Sequence, residues 1–396
     1  MDNLIFRCFT DNKLLFFSLL CYIVCISSKS RAIILIGPYK TGSSTVQLHL
    51  LNIAAKLRRK HIYLPETKCD NKKYGSSIIR CIKEPSYQVN HHRNDSKATH
   101  CTITCDEFHT YVSKHRDQNH TIIFGHEIFS NHMNKPTLTA MLKVLEGYEV
   151  WFVSFYRPVT TRMFSYHGQS HFKDVDLNFV YFDKWYETFK PTHKSFFDAN
   201  FVDNIVDTLV NLNDSNNNRL YLVDFNNAIK KRMEPHQVIH CDILQLCGPK
   251  HADKPAPLKS NGHKDRFGKY DQLFYNFRLF VERKKCKLLH SSAYYTLEEV
   301  YWRAFQGAIP YIQTTNEQVK IDALQSHQSL YGLQALHPDN VKWLYANERL
   351  SLDSINGFTY QEVNRDSFIN NEKYKNAFDD MLHTGTRRKD IECVTS

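Results

Sequence analysis

The eight residues Glu149–Tyr156, EVWFVSFY, are apolar at nearly every position. Side chains alternate between the two faces of a strand, so a strand with one wet face would alternate apolar with polar residues. A continuous apolar strand is buried on both faces, as in a parallel sheet covered by helices above and below. Parallel neighbours are joined by crossovers of a dozen or more residues, usually helical. The rest of the chain fits this demand. Further strands are predicted at Ala32–Ile36 (AIILI), Thr121–Phe124 (TIIF) and Arg219–Phe225 (RLYLVDF). Helices are predicted over Thr45–Arg59 and from the capping box Thr104-Cys105-Asp106-Glu107 to about His115. Another spans Pro136–Glu146, with proline early and Gly147 just past its end. Phe179–Phe189, Phe197–Leu212, Asp271–Cys286 and Thr296–Gly307 read as helices too.

Strands alternating with helices predict an α/β fold of three layers with a central parallel sheet. The polar, cysteine-bearing stretch Lys68–Cys101 reads as surface loops. Beyond about residue 310 the chain is polar and weakly periodic, with a tail from about Arg387. The expected organisation is an N-terminal targeting segment over 1–30, the α/β domain over 31–290, and a C-terminal helical extension over 291–396 packed on that domain. No internal repeat or Gly/Ser linker divides the chain.

Leu14–Ile26 (LLFFSLLCYIVCI) is the one long apolar run, with Arg7 and Lys13 before it and Lys29 and Arg31 after it. As a helix it spans roughly 20 Å, short of a hydrocarbon core of about 30 Å. One reading is a signal peptide cut near Ser27 and Ser28. Another is a short type II signal-anchor stretched by its flanking lysines. A third is a buried N-terminal helix. The first two deliver the remaining chain to the secretory lumen.

Sequons at Asn94, Asn119 and Asn213 agree with a lumenal setting. So do the eight cysteines after the run (Cys69, Cys81, Cys101, Cys105, Cys241, Cys247, Cys286, Cys393), an even number whose pairing the sequence leaves open. No cysteine or histidine pair has a partner at zinc-finger spacing, so no metal is expected. With 42% hydrophobic and 23% charged residues the chain is not of the disordered class. Its net charge of +10 suits an anionic partner without choosing among nucleotides, acidic glycans and nucleic acid.

The first strand runs into Gly37-Pro38-Tyr39-Lys40-Thr41-Gly42-Ser43-Ser44-Thr45 and then a helix. Such a loop cradles phosphate: backbone amides and the helix N-terminus point at the anion, and small side chains permit close approach. The nucleoside-triphosphatase loop places Lys and Ser/Thr directly after its second glycine, the hydroxyl ligating Mg²⁺. Here Gly42 is followed by Ser43, and Lys40 precedes it. The loop suits phosphate but not Mg²⁺–ATP.

The segment Pro38–Thr45 resembles the 5′-phosphosulfate loop of sulfotransferases that use 3′-phosphoadenosine 5′-phosphosulfate (PAPS), above all the Golgi carbohydrate sulfotransferases. A second match follows the third strand. Arg157-Pro158-Val159-Thr160-Thr161-Arg162-Met163-Phe164-Ser165-Tyr166 is similar to the segment that holds the 3′-phosphate in that family, with Arg157, Arg162 and Ser165 on the pattern. The third is Gly125-His126-Glu127, at the position of the base histidine in uronyl 2-O- and galactose 3-O-sulfotransferases. A histidine of ordinary pKa can take a proton from a sugar hydroxyl. Glu127 is the rival base, since other branches use a glutamate.

The resemblance covers roughly Ala32 to Cys247 and implies a P-loop sulfotransferase fold. It implies PAPS as co-substrate, held by Lys40, Thr41, Gly42, Ser43, Ser44, Thr45, Arg157, Arg162 and Ser165, with Lys40 also catalytic and His126 as base. It implies a glycan or glycolipid acceptor, no metal and no nucleic acid. It also implies a type II Golgi membrane protein with a lumenal catalytic domain, or a secreted form after cleavage. The basic segment Asn261–Phe267 reads as a loop closing over the nucleotide or as a solvated loop. The rival readings are a P-loop kinase or nucleotide hydrolase, and a catalytically inactive binding protein.

Overall fold

The computed structural model describes residues 30–37, 43–65, 75–83, 104–126, 129–130, 133–173, 182–192, 200–211, 218–248, 253–256, 286–288, 311–363, 372 and 391–393. Strand β1 (Arg31–Ile36) is followed by α1 (Ser43–Asn52), α2 (Ala54–Arg58) and the short β2 (Ile62–Tyr63). Then come α3 (Gly75–Lys83), α4 (Cys105–Asp117), β3 (Thr121–His126), α5 (Lys135–Val144) and β4 (Glu149–Tyr156). Helices α6 (Val159–Lys173), α7 (Phe182–Thr192) and α8 (Asn200–Asn211) lead to β5 (Arg219–Asp224), α9 (Phe225–Lys230) and α10 (Pro235–Val238), which continues into a π turn at Ile239–Ile243. The remaining elements are β6 (Cys286–Leu288), β7 (Tyr311–Thr314), α11 (Glu317–Leu336), β8 (Val341–Leu344), α12 (Glu348–Asn356), β9 (Tyr360–Val363) and β10 (Ile391–Cys393).

Six strands form one parallel sheet in the order β2-β3-β1-β4-β5-β8. The apolar strands fill both its faces, as the run at Glu149–Tyr156 requires. On one face Ala32, Ile34, Ile122, Phe124, Val150 and Phe152 pack with apolar side chains of α3, α4, α5 and α8. On the other, Ile33, Ile123, Trp151 and Val153 pack with Val46 and Leu50 of α1, Leu57 of α2 and Val238 of α10. Successive residues of one strand therefore serve opposite layers, and the three-layer α/β architecture follows. The capping box of α4 forms as expected: Thr104 Oγ1 accepts from the Glu107 N–H, and Glu107 Oε2 accepts from the Thr104 N–H.

Three parts of the chain differ from the sequence expectation. Within Lys68–Cys101, read as loops, residues Gly75–Lys83 are a helix. Its Ile78, Ile79, Cys81 and Ile82 are buried, and Cys81 is bridged to Cys105 at the start of α4. That spacing is one helical face, compressed into nine residues inside a polar stretch. Of the helix expected at Asp271–Cys286, Cys286 is instead the first residue of β6, and residues 271–285 lie outside the described residues, as do Thr296–Gly307 and Asn261–Phe267. Residues 291–396 do more than pack on the domain. Strand β8 pairs with β5, from Leu220 opposite Val341 to Val223 opposite Leu344, and becomes the edge of the central sheet. Helix α11 buries Val319, Ala323, His327, Leu330 and Leu333 beside it.

Candidate functional site

In open parallel sheets ligands bind beyond the C-terminal strand ends, where the strand order reverses. Here β1 is followed to one side by β2 and β3, while β4 and β5 lie on its other side. The reversal is at β1, and two of the sequence motifs flank it. Ile36, the last residue of β1, stands opposite His126, the last residue of β3. On the other side Ile36 stands opposite Ser154, two residues before the end of β4 at Tyr156. The loop of the first motif leaves the sheet between these two.

Lys40, Thr41 and Gly42 lie outside the described residues, as does Glu127. Ser43 and Ser44 open α1, and Thr45 follows in its first turn, half-buried. Helix α1 thus begins at the C-terminal edge of the sheet, its N-terminal amides on the side where an anion is favoured.

Gly125 explains how β3 can end beside this loop. It pairs with Leu35 of β1. A Cβ at position 125 would collide with the Leu35 carbonyl oxygen and come within 2.7 Å of its nitrogen. Only glycine permits so close an approach. The Gly125 carbonyl oxygen accepts from Gln47 Nε2 of α1 at 3.2 Å. Gln47 therefore fixes the helix of the first motif to the strand that ends in His126. No sequence motif marked it.

On the other flank, Arg157 follows β4 and Pro158 leads into α6, whose N-terminus opens at the same sheet edge. The Arg157 guanidinium lies 5.4 Å from the centre of the Phe225 ring. Arg162, one turn into α6, is only 7% exposed. Burial lowers both guanidinium groups to about 10, and for Arg162 the charge of Arg157 adds to the effect while Tyr156 and Tyr186 oppose it. Arg157 is half-buried and Arg162 buried, and a guanidinium held in such a setting suits an anionic partner. Ser165 is half-buried on α6, three residues after Arg162 and so on the same side of the helix.

The ends of β4 and β5 meet polar groups supplied from far along the chain. Asp224, the last residue of β5, stands opposite Tyr156 and is fully buried. Its Oδ1 accepts from the Asn227 N–H, capping α9, while Oδ2 accepts from Tyr331 Oη at 2.7 Å, Ser351 Oγ at 2.8 Å and Asn227 Nδ2 at 2.7 Å. Tyr156 Oη and His327 Nδ1 are hydrogen-bonded at 2.9 Å. Burial, then Tyr331 and Asp224, push the Tyr156 hydroxyl up, and burial keeps His327 low, so both are neutral. Tyr186 of α7 donates to Asp322 at 2.7 Å. Asp322, His327 and Tyr331 all belong to α11, so one late helix holds the ends of β4 and β5 and the middle of α7.

A second buried cluster lies on the opposite side of α1. His49 is 4% exposed and its Nε2 is 3.2 Å from His240 Nδ1, with the His236 ring centre 5.0 Å away. Burial first, then His236, His240 and Lys56, lower His49 to about 4. His49 is thus a neutral core residue that ties α1 to the α10 segment, which is closed by the Cys241–Cys247 bridge. Among the described residues no group of three or more His, Cys, Asp or Glu side chains is arranged to hold a metal. None of their helices is long and apolar enough to cross a membrane, and Leu14–Ile26 lies outside them.

No family model matches the chain, and no curated protein matches it in sequence.

Proposed function

We propose that the protein is a P-loop sulfotransferase that moves the sulfuryl group of PAPS to a hydroxyl of a carbohydrate acceptor, a glycan or glycolipid. The observation that carries this reading is the convergence at one sheet edge. His126 stands opposite the end of β1, the small-residue loop leaves from that end, and Arg157 follows the neighbouring strand on its other side. The half-buried Arg157 and the buried Arg162 support a dianionic group on that flank, as the 3′-phosphate would be.

In this reading the acceptor oxygen attacks sulfur in line, and the bond from sulfur to the bridging 5′-phosphate oxygen breaks. The acceptor proton passes to His126. The charge left on the phosphate is met by Lys40 and by the amides of Thr41, Gly42, Ser43, Ser44 and Thr45. Arg157, Arg162 and Ser165 select the 3′-phosphate and so distinguish PAPS from ATP. Positioning and charge stabilisation do most of the work, as in phosphoryl transfer. The bridges Cys81–Cys105 and Cys241–Cys247 support a lumenal setting.

The test is calorimetric titration of the purified protein with 3′-phosphoadenosine 5′-phosphate, ADP and ATP–Mg²⁺. Metal-independent binding that needs the 3′-phosphate and is lost in Arg157→Ala is expected. Lys40→Ala should then lower sulfuryl transfer to a responsive glycan by about 10²–10³-fold. Equal or tighter binding of ATP–Mg²⁺ would overturn the proposal.

A further inference from the structure

We propose that Cys286 and Cys393 are joined by a disulfide that closes the segment between them, which carries the edge strand of the central sheet, into one covalent loop. Strands β6 and β10 are antiparallel, with Ile391 opposite Leu288, Glu392 opposite Lys287 and Cys393 opposite Cys286. Residues directly opposite in such a ladder have Cα atoms about 4.5 or 5.5 Å apart, according to the pair type. A disulfide takes Cα separations of about 4.4–6.8 Å, so either pair type is within reach. The register is specific. A one-residue slip would set Cys393 against Lys287 and remove the cysteine pairing altogether.

Two further observations point the same way. Strands of three residues in a two-stranded sheet do not hold together unaided. Two other cysteine pairs, Cys81–Cys105 and Cys241–Cys247, are bridged in the structure, which suits a chain that folds in an oxidising compartment. The loop closed by the new bond contains α11, β8 and α12. It thus holds the edge strand of the central sheet together with Asp322, His327 and Tyr331. The unfolded chain loses more freedom to a cross-link when the loop is long, so this bond constrains it more than either shorter bridge.

The chemistry is thiol–disulfide exchange with a protein disulfide of the secretory lumen. One cysteine thiolate attacks that disulfide and forms a mixed disulfide. The second thiolate displaces it, giving the Cys286–Cys393 bond. Two protons and two electrons leave the cysteines, and the oxidant is reduced to a dithiol.

The test uses the full chain expressed through a eukaryotic secretory pathway. Free thiols are alkylated in denaturant without reductant, and the digest is mapped by mass spectrometry. A peptide pair linking residues 286 and 393 is expected in the wild-type protein, so no variant is needed for the primary result. Cys286→Ser should expose one new alkylatable thiol, at Cys393, and Cys393→Ser should expose the reciprocal one. Alkylation of both cysteines in protein whose Cys81–Cys105 bridge is intact would overturn the proposal. So would linkage of either to Cys69 or Cys101.

Discussion

Asp224 offers the sharpest quantitative test of how residues 291–396 serve the rest of the molecule. It is fully buried, and its carboxylate is the common acceptor for the Asn227 N–H, Asn227 Nδ2, Tyr331 Oη and Ser351 Oγ. Asp224→Ala removes the N-cap of α9, worth about 1 kcal/mol. It also takes the Asp224 acceptor from the Tyr331 and Ser351 hydroxyls, at about 1–3 kcal/mol each where water cannot reach, while Asn227 Nδ2 keeps the Asn347 carbonyl at 3.3 Å. These losses overlap because the groups share one site, so a total of about 4 kcal/mol is expected. Asp224→Asn keeps the cap oxygen but sets an amide against the two hydroxyls, and about 1–2 kcal/mol is expected. The assay is urea unfolding followed by tryptophan fluorescence, read as a fall in midpoint at constant slope. Tyr331→Phe completes a double-mutant cycle. Its cost, about 1–2 kcal/mol in the wild type, should largely vanish once Asp224 is alanine. A cost for Asp224→Ala within about 0.5 kcal/mol of zero, or a Tyr331→Phe cost unchanged in its absence, would refute the view that Asp224 joins the late helices to the sheet.

Other outcomes follow from the same geometry. Gly125→Ala drives a methyl group into the Leu35 backbone; it should destabilise by about 1–3 kcal/mol or more, read as a lowered thermal midpoint. His49 has its folded-state pKa lowered to about 4, so the unfolded chain binds its proton first. The stability it confers is full above pH of about 6.5 and drains away as pH falls toward 4, with a slope of at most about 1.4 kcal/mol per pH unit. Unfolding midpoints at several pH values should show that slope in the wild type and a shallower one in His49→Gln; equal slopes would assign the acid sensitivity elsewhere. Asn119 is exposed, and its Oδ1 accepts from Ser30 Oγ at 3.5 Å, leaving Nδ2 for a glycan. In secreted or lumenal material Asn119→Gln should lose one step of glycosidase-sensitive mobility, whereas Thr121→Ser should keep it.

Where a stretch of sequence carries its whole reason for folding, the structure could be read from it. Glu149–Tyr156 is a strand with the expected bounds because its own side chains demand two buried faces. Helix α4 begins where Thr104 and Glu107 satisfy each other's backbone amides. That His126 and Arg157 stand at the C-terminal ends of strands was legible too; that those strands lie on opposite sides of β1 was not, because strand order is set by pairings remote in the chain. What escaped is held by partners remote in the chain. Strand β8 is four residues long, and only Val341 of them is fully buried. Helix α11 is twenty residues long, yet its buried stripe runs Val319, Ala323, His327, Leu330, with a small residue and a histidine where large apolar side chains would announce it. That weak pattern has a physical cause. A helix that packs on the middle of a sheet meets apolar side chains and is written in leucine and isoleucine. Helix α11 packs on strand ends, where Tyr156 and Asp224 bring polar groups, and it answers them with His327 and Tyr331. Its stripe keeps helical spacing but is weakly apolar, as suits a helix beside the end of a sheet that turns polar.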